Sequence, residues 1–179
     1  MVRSCVCFRK SNSWRQKISK QDVIKQIIDA FDSVDSPGEI TLFVAEAHDS
    51  RDYDHDPIHR RLDHFGSWQS LPEAHIEVCY NALCHVGKTS LPYYLPAYML
   101  WHLHDLQKRP TDCTYFVMYI DPADSVYAYN HFLDNFSLFT PSQLSACAQY
   151  LNFCANNITD PSGASGAKEM LDKYWIKFI

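Results

Sequence analysis

At 179 residues and 20.7 kDa the chain has the size of one domain, and 46% hydrophobic with 21% charged residues marks a globular protein, not a disordered or collagen-like one. Five glycines, at 38, 66, 87, 163 and 166, exclude a dinucleotide fingerprint, a Walker A loop and a G-x-S-x-G elbow; H-E-x-x-H and paired C-x-x-C are absent too. The net charge of −5 divides into +6 over residues 1–20 and −11 over the rest (10 bases against 21 acids), which disfavours nucleic-acid binding by the folded body.

Residues 1–18 read as a basic flexible leader carrying Arg3, Arg9, Lys10, Arg15 and Lys17, and 19–179 as a single helical domain. No stretch reaches the ~20 apolar residues of a membrane-spanning helix, and the leader lacks the apolar run of a secretory signal. Its Arg/Ser-rich, acid-free composition leaves a transit peptide as a minor alternative, and Cys5 and Cys7 beside bases are weak acylation candidates. Seven cysteines, an odd number, fit reduced thiols in a cytoplasm.

Ser19 opens a helix with Val23, Ile24, Ile27, Ile28, Phe31 and Val34 on one face, stopped by Ser36-Pro37-Gly38. Residues 40–47 fit either a strand or a helix capped by Thr41. Asp56-Pro57 predicts a short helix from Pro57 to about His64, with Asp56 as its cap. Ser70-Leu71-Pro72-Glu73 reads as a capping box for a helix with Ile76, Cys79, Tyr80, Leu83 and Val86 inward and Gly87 as its stop. Pro96 in a first turn predicts a helix to Gln107, preceded by a short turn over 91–94. Residues 113–120 fit a strand or a short helix, and Val126, Tyr129, Phe132, Leu133 and Phe136 follow at helical spacing. Thr140-Pro141-Ser142-Gln143 is the clearest start signal, ahead of a stripe through Leu144, Cys147, Ala148, Leu151, Cys154 and Ile158. A loop over 160–166 then leads to a terminal helix through Met170, Leu171, Tyr174, Trp175 and Phe178. Such stripes bury against one another, so the expected fold is all-α, a compact multi-helix domain with room for one or two short strands.

Ala45-Glu46-Ala47-His48-Asp49, Tyr94-Leu95-Pro96-Ala97-Tyr98, Phe136-Ser137-Leu138-Phe139-Thr140 with Gln143-Leu144, and Lys173-Tyr174-Trp175 together resemble a bacterial domain family of unknown function. Tyr-Leu-Pro-Ala-Tyr is the most specific piece. The resemblance covers the chain from about Gln21 onward and implies a bacterial, cytoplasmic helical domain; it carries over no activity and no site residue.

The densest polar stretch, 46–64, holds ten acidic or histidine side chains in nineteen positions. Imidazole with carboxylate suits a divalent metal such as Zn²⁺ or Mn²⁺. Pro57 removes His55 from the helix, leaving His59 and Asp63 as an i, i+4 pair that His48, Asp49 or Asp52 can complete. The plainer reading is a solvated acidic segment offset by Arg51, Arg60 and Arg61. Tyr94, Tyr98 and Trp101 at i, i+4 and i+7 make an aromatic stripe, core by default and a partner-binding face as the functional alternative. His102 and His104 lie about 200° apart around a helix and cannot share a ligand; Cys84 and His85 likewise diverge. Asp121 and Asp124 suggest only a turn. A site is expected where residues 48–63 meet the start of the Pro96 helix, and not on the 140–158 helix.

The function expected from this is a non-enzymatic interaction domain that binds a protein partner through an acidic helical surface. Some of its 4 Trp, 11 Tyr and 10 Phe exceed what one core needs. The alternative is a metal-dependent hydrolase or metal-binding protein built on His48, Asp52, His59 and Asp63.

Overall fold

The computed structural model describes residues 18–34, 36–109, 112–121 and 125–179. Among them the chain is all-α, with no strand and no helix long and apolar enough to cross a membrane. Residues 1–17 of the basic leader lie outside the described residues.

Helix α1 (Lys20–Phe31) starts where Ser19 accepts the Asp22 amide, and buries Val23, Ile27 and Phe31. The ambiguous 40–47 segment is helical: α2 spans Leu42–Asp49. Thr41 occupies its cap position but makes no capping bond. Two side chains distant in sequence replace it, the Tyr94 hydroxyl accepting the Leu42 amide (3.1 Å) and Asp63 Oδ1 accepting the Phe43 amide (3.0 Å). The other end closes with Arg51 N–H on His48 C=O and Asp52 N–H on Ala47 C=O, a Schellman arrangement that holds Arg51 at φ 63°.

Helix α3 (Asp56–His59) is shorter than expected and passes into a 3₁₀ turn over Arg60–Leu62. Asp56 lies inside α3 and pairs with His48, so it is not the cap. Asp63 stands beyond the turn in extended backbone, which breaks the expected i, i+4 relation with His59. A second 3₁₀ turn (Trp68–Ser70) precedes α4 (Glu73–Val78). The expected capping box is not made there: Ser70 donates to the Ser67 carbonyl and Glu73 pairs with Arg109. The α4 direction breaks at Cys79 and continues as a 3₁₀ turn over Tyr80–Cys84.

Helix α5 (Gly87–His104) departs most from expectation. Gly87, at φ 68°, swivels the chain into it, and Pro92 and Pro96 both sit inside eighteen continuous helical residues. Each proline forfeits a backbone bond and costs about 3 kcal/mol in an isolated helix. Here burial offsets that cost, since twelve of the eighteen side chains are buried on all sides of the axis. Three hydroxyls from α5 then pin the irregular 40–84 region: Tyr93 donates to Gly66 C=O (2.8 Å), Tyr98 donates to Cys79 C=O (2.6 Å), and Tyr94 receives the Leu42 amide.

Helices α6 (Asp112–Met118) and α7 (Val126–Asn135) follow, the latter capped by Ser125 and burying Phe132. Helix α8 (Pro141–Asn157) has the full reciprocal capping box between Thr140 and Gln143. Helix α9 (Pro161–Lys173) starts within the expected loop, with Asp160 accepting the Gly163 amide and Pro161 in the first turn. A 3₁₀ turn over Trp175–Phe178 ends the chain. The helices share one apolar core in which α8 packs on α1 and α9, and α5 on α1. Two buried indoles tie off helix ends, Trp68 N–H on Phe31 C=O and Trp175 N–H on Met118 C=O.

Candidate functional site

Tyr94, Tyr98 and Trp101 are all buried, so the aromatic stripe is core and offers no partner-binding face. The reason is α5 itself: a helix apolar around its whole circumference has no exposed side on which to present a stripe. Burial pushes the Tyr94 phenol up, with the Asp63 charge adding to it. The guanidinium of Arg109 lies 4.8 Å over the Trp101 ring and seals its outer edge.

The 46–64 segment forms pairs. Asp52, turned outward by the Schellman ending of α2, accepts from His55 Nδ1 (2.7 Å) and His59 Nε2 (2.9 Å) with its two oxygens. These bonds, that to His59 first, hold its carboxyl below the usual 3.8. His48 Nε2 meets Asp56 at 2.8 Å, and His85 meets Asp49 at 3.2 Å. Histidines thus take the pairing expected of arginines. Arg60 donates to the Glu39 carbonyl, and among the described residues Arg51, Arg60 and Arg61 form no salt bridge. Of the four metal candidates, Asp52 and His59 meet, His48 lies on Asp56, and Asp63 is held at the α2 amides. Among the described residues no three His, Cys, Asp or Glu side chains are grouped so as to hold a metal ion. Near the junction with α5, where a site was expected, the Tyr93 and Tyr94 hydroxyls bond to Gly66 C=O and the Leu42 amide, residues on either side of 48–63.

An open groove of about 600 Å³ lies elsewhere, between α6, α7 and α9. Helix α6 packs against the 80–84 turn and α9 while α7 packs against α5, which leaves their facing sides apart. Val117, Phe132 and Met170 form a buried floor. Phe116, Tyr119 and Tyr127 stand at the rim, with Phe116 72% and Tyr127 82% exposed. Tyr127 stacks parallel on His131 one helical turn away, with ring planes within 3°. On α9, Gly166 supplies bare backbone opposite the Tyr115 ring. Among the described residues the lining carries the carboxylates of Asp121 and Glu169 and the imidazole of His131, and no lysine or arginine. Lys173 reaches both from behind, at 2.6 and 2.5 Å, and these bonds raise its own pKa. Asp124, the other acid of that turn, lies outside the described residues.

Of the residues at helical spacing on α7, Phe132 and Phe136 are buried and Tyr129 packs against the core, whereas Val126 and Leu133 are exposed; Tyr129 and Ala128 also line the groove. The one signal for it was the surplus of aromatic residues. Beneath the groove wall sits a polar cluster. His102 Nδ1 meets the Tyr150 hydroxyl at 2.7 Å, and Tyr150 in turn interacts with Cys154 and Thr114. Burial pushes the His102 imidazole down to about 4 and the Cys154 thiol up to about 12, so both are neutral groups of the interior.

Residues 19–179 match a family of unknown function, nearly the whole of the chain beyond its basic leader. The chain belongs to DUF6714. The match starts two residues before the expected limit of the resemblance, at Ser19, the cap of α1. All of the helices described above, and so the α6/α7/α9 groove, fall within the DUF6714 region. No curated protein and no solved structure was found to match the chain.

Proposed function

We propose that the chain is a non-enzymatic interaction domain that binds a protein partner in the α6/α7/α9 groove, in a bacterial cytoplasm. The observation that carries this reading is a helix-lined groove with a buried apolar floor and aromatic side chains held at its rim. Phe116 and Tyr127 are large apolar surfaces left in water, which single domains seldom keep contiguous without a partner. Tyrosine is also among the residue types enriched at protein-interface hot spots. On this reading the acidic, aromatic surface expected from the sequence is the groove's, with Phe116, Tyr119 and Tyr127 as its aromatics and Asp121 and Glu169 as its carboxylates, in place of the Tyr94 stripe.

A photo-crosslinking side chain introduced at position 127 or 116 tests this directly. Crosslinks to one protein of defined mass should form at both positions and be absent at position 108, on the exposed Lys108 of another face. Identical product patterns at all three positions would remove the groove from consideration.

A second reading, divalent-metal binding, is supported by the Asp52 carboxylate set between two imidazoles, an arrangement that orients histidines for a metal. Zn²⁺ or Mn²⁺ would then raise the melting temperature of the untagged protein, and His59→Ala would abolish that rise. No change on adding either ion disposes of it.

A further inference from the structure

We infer that His102, Tyr150, Cys154 and the α6 residues Thr114 and Tyr115 form a proton-operated latch, through which acid loosens α6, one wall of the groove, while the rest of the core stays packed. The device belongs to the fold and does not depend on what the groove binds. Its geometry is a chain of contacts from the core to the groove. His102, on α5, is wholly buried and meets the Tyr150 hydroxyl of α8 at 2.7 Å. Tyr150 bonds in turn with Thr114 on α6 and with Cys154 one turn along α8, and Cys154 bonds with Tyr115. Tyr115 is half-buried, and its ring lines the groove against Gly166. Two α6 side chains are therefore tied to the interior through the partner of one imidazole.

Protonation disturbs that tie. An imidazolium is a donor at both ring nitrogens, so Tyr150 can then only accept from it. Around the cluster stand Tyr150 and Cys154 from α8, Tyr115 from α6 and, beyond the end of α5, the Arg109 guanidinium, a charge of the same sign. From α1, Lys20 reaches the His104 carbonyl two residues on and is a further cation. Burial, with the Arg109 charge adding to it, outweighs the bond to the Leu106 backbone and holds the imidazole down at about 4. Below its ordinary 6.5, charging the ring therefore favours any opening that brings it to water. Helix α6 is the element that gives. It has seven residues, too few to stand without packing, whereas α5 and α8 have eighteen and seventeen and run through the middle of the core.

The test is hydrogen exchange on the full chain at several pH values from 7 to 5, corrected for the intrinsic rate at each. With 6.5 for the exposed imidazole and about 4 for the enclosed one, the opening constant of α6 should rise about twentyfold across that range, most of it in the last pH unit. The α8 amides should not change. His102→Gln, which cannot titrate, should leave α6 exchange independent of pH. If that variant does not fold, Asp121→Asn serves instead: Asp121, held by Lys173 just beyond α6, is the other group whose protonation loosens this end, and without it the slope should remain. A flat profile over α6 in the unmodified chain overturns the inference. So does a rise that persists in His102→Gln or disappears in Asp121→Asn, since the proton then acts elsewhere. Loosening of α8 together with α6 would mean that the whole core opens. Loosening confined to 104–109 would mean that water reaches His102 past the end of α5; either result removes the latch.

Discussion

The chain carries two aromatic groups on helices, Tyr94/Tyr98/Trp101 on α5 and Phe116/Tyr119/Tyr127 on α6 to α7, and they have opposite fates. The first is buried and its hydroxyls satisfy backbone groups of the irregular 40–84 region. The second stands around a groove in solvent. Aromatic character does not separate them; the rest of each helix does. Helix α5 is apolar on every side and has to be enclosed, while α7 places Asn130, His131 and Asp134 around its axis and can be buried only along Phe132. The spacing of a stripe says that a face exists, and the circumference of its helix says whether that face can stay wet.

Exchanging one residue from each group gives the largest contrast. Tyr98→Ala should cost about 3–5 kcal/mol in denaturant unfolding, since it empties a filled site and leaves the Cys79 carbonyl without its donor. Tyr127→Ala should stay within about 0.5 kcal/mol and yet abolish crosslinking at neighbouring groove positions. Similar losses for the two would mean that the groove aromatics are structural.

Next in size is the buried polar cluster behind the groove. Unfolded, the His102 imidazole titrates near 6.5; folded, near 4. Between these values the unfolded chain binds more protons, so stability rises with pH there. The contribution is complete above 6.5 and lost as pH falls to 4, a change of about 3 kcal/mol. Unfolding free energies measured across that window should show this slope, and His102→Leu should flatten it. An unchanged slope in the variant would assign the acid sensitivity to other groups.

What was legible in the sequence follows the range of the interactions involved. The Thr140–Gln143 box could be read because a cap involves four consecutive residues, and it is made as expected. The α2 cap could not, because its two acceptors, Asp63 and Tyr94, come from 20 and 52 residues away. Pro96 read as the first turn of a new helix, with 91–94 as a separate turn before it, because a proline's cost is local while the burial that overrides it is tertiary. Gly163 and Gly166 read as a loop for the same reason, yet Asp160-Pro161 starts α9 through them. In the candidate site, the acid and histidine content of 46–64 was visible, but not that Asp52 would take two imidazoles and Asp63 would leave for α2. The groove was least legible of all, since it is defined by faces that no other helix covers. No residue in it states that by itself.

The two kinds of cap can be compared at intermediate size. Thr140→Ala and Asp63→Ala should each cost about 1 kcal/mol. They should differ in hydrogen exchange: Thr140→Ala loosens the first turn of α8 alone, while Asp63→Ala loosens α2 together with the 60–63 turn that holds the carboxylate in place. Exchange confined to α2 in the Asp63 variant would show that the turn is held by something else.

The smallest effect belongs to Asp52, whose two histidine bonds lie at the surface, where solvent and salt screen them. Its carboxyl is held below 3.8 when folded, so its contribution is present above 3.8 and is lost as pH falls through the lower folded value. This is the same direction as His102 but a separate window, reached only after the His102 loss is complete. Asp52→Asn keeps the shape and removes the charge. The difference in melting temperature between wild type and variant should therefore be small at neutral pH, shrink further in high salt, and vanish once pH has fallen below the lowered folded value. The exposed pairs of 48–59 and the buried pair of His102 with Tyr150 would then separate by pH and by salt, because only the exposed ones respond to both. A difference that survives both treatments would mean that Asp52 acts through shape, as a hydrogen-bonded tie between α2 and α3, and that its charge is incidental.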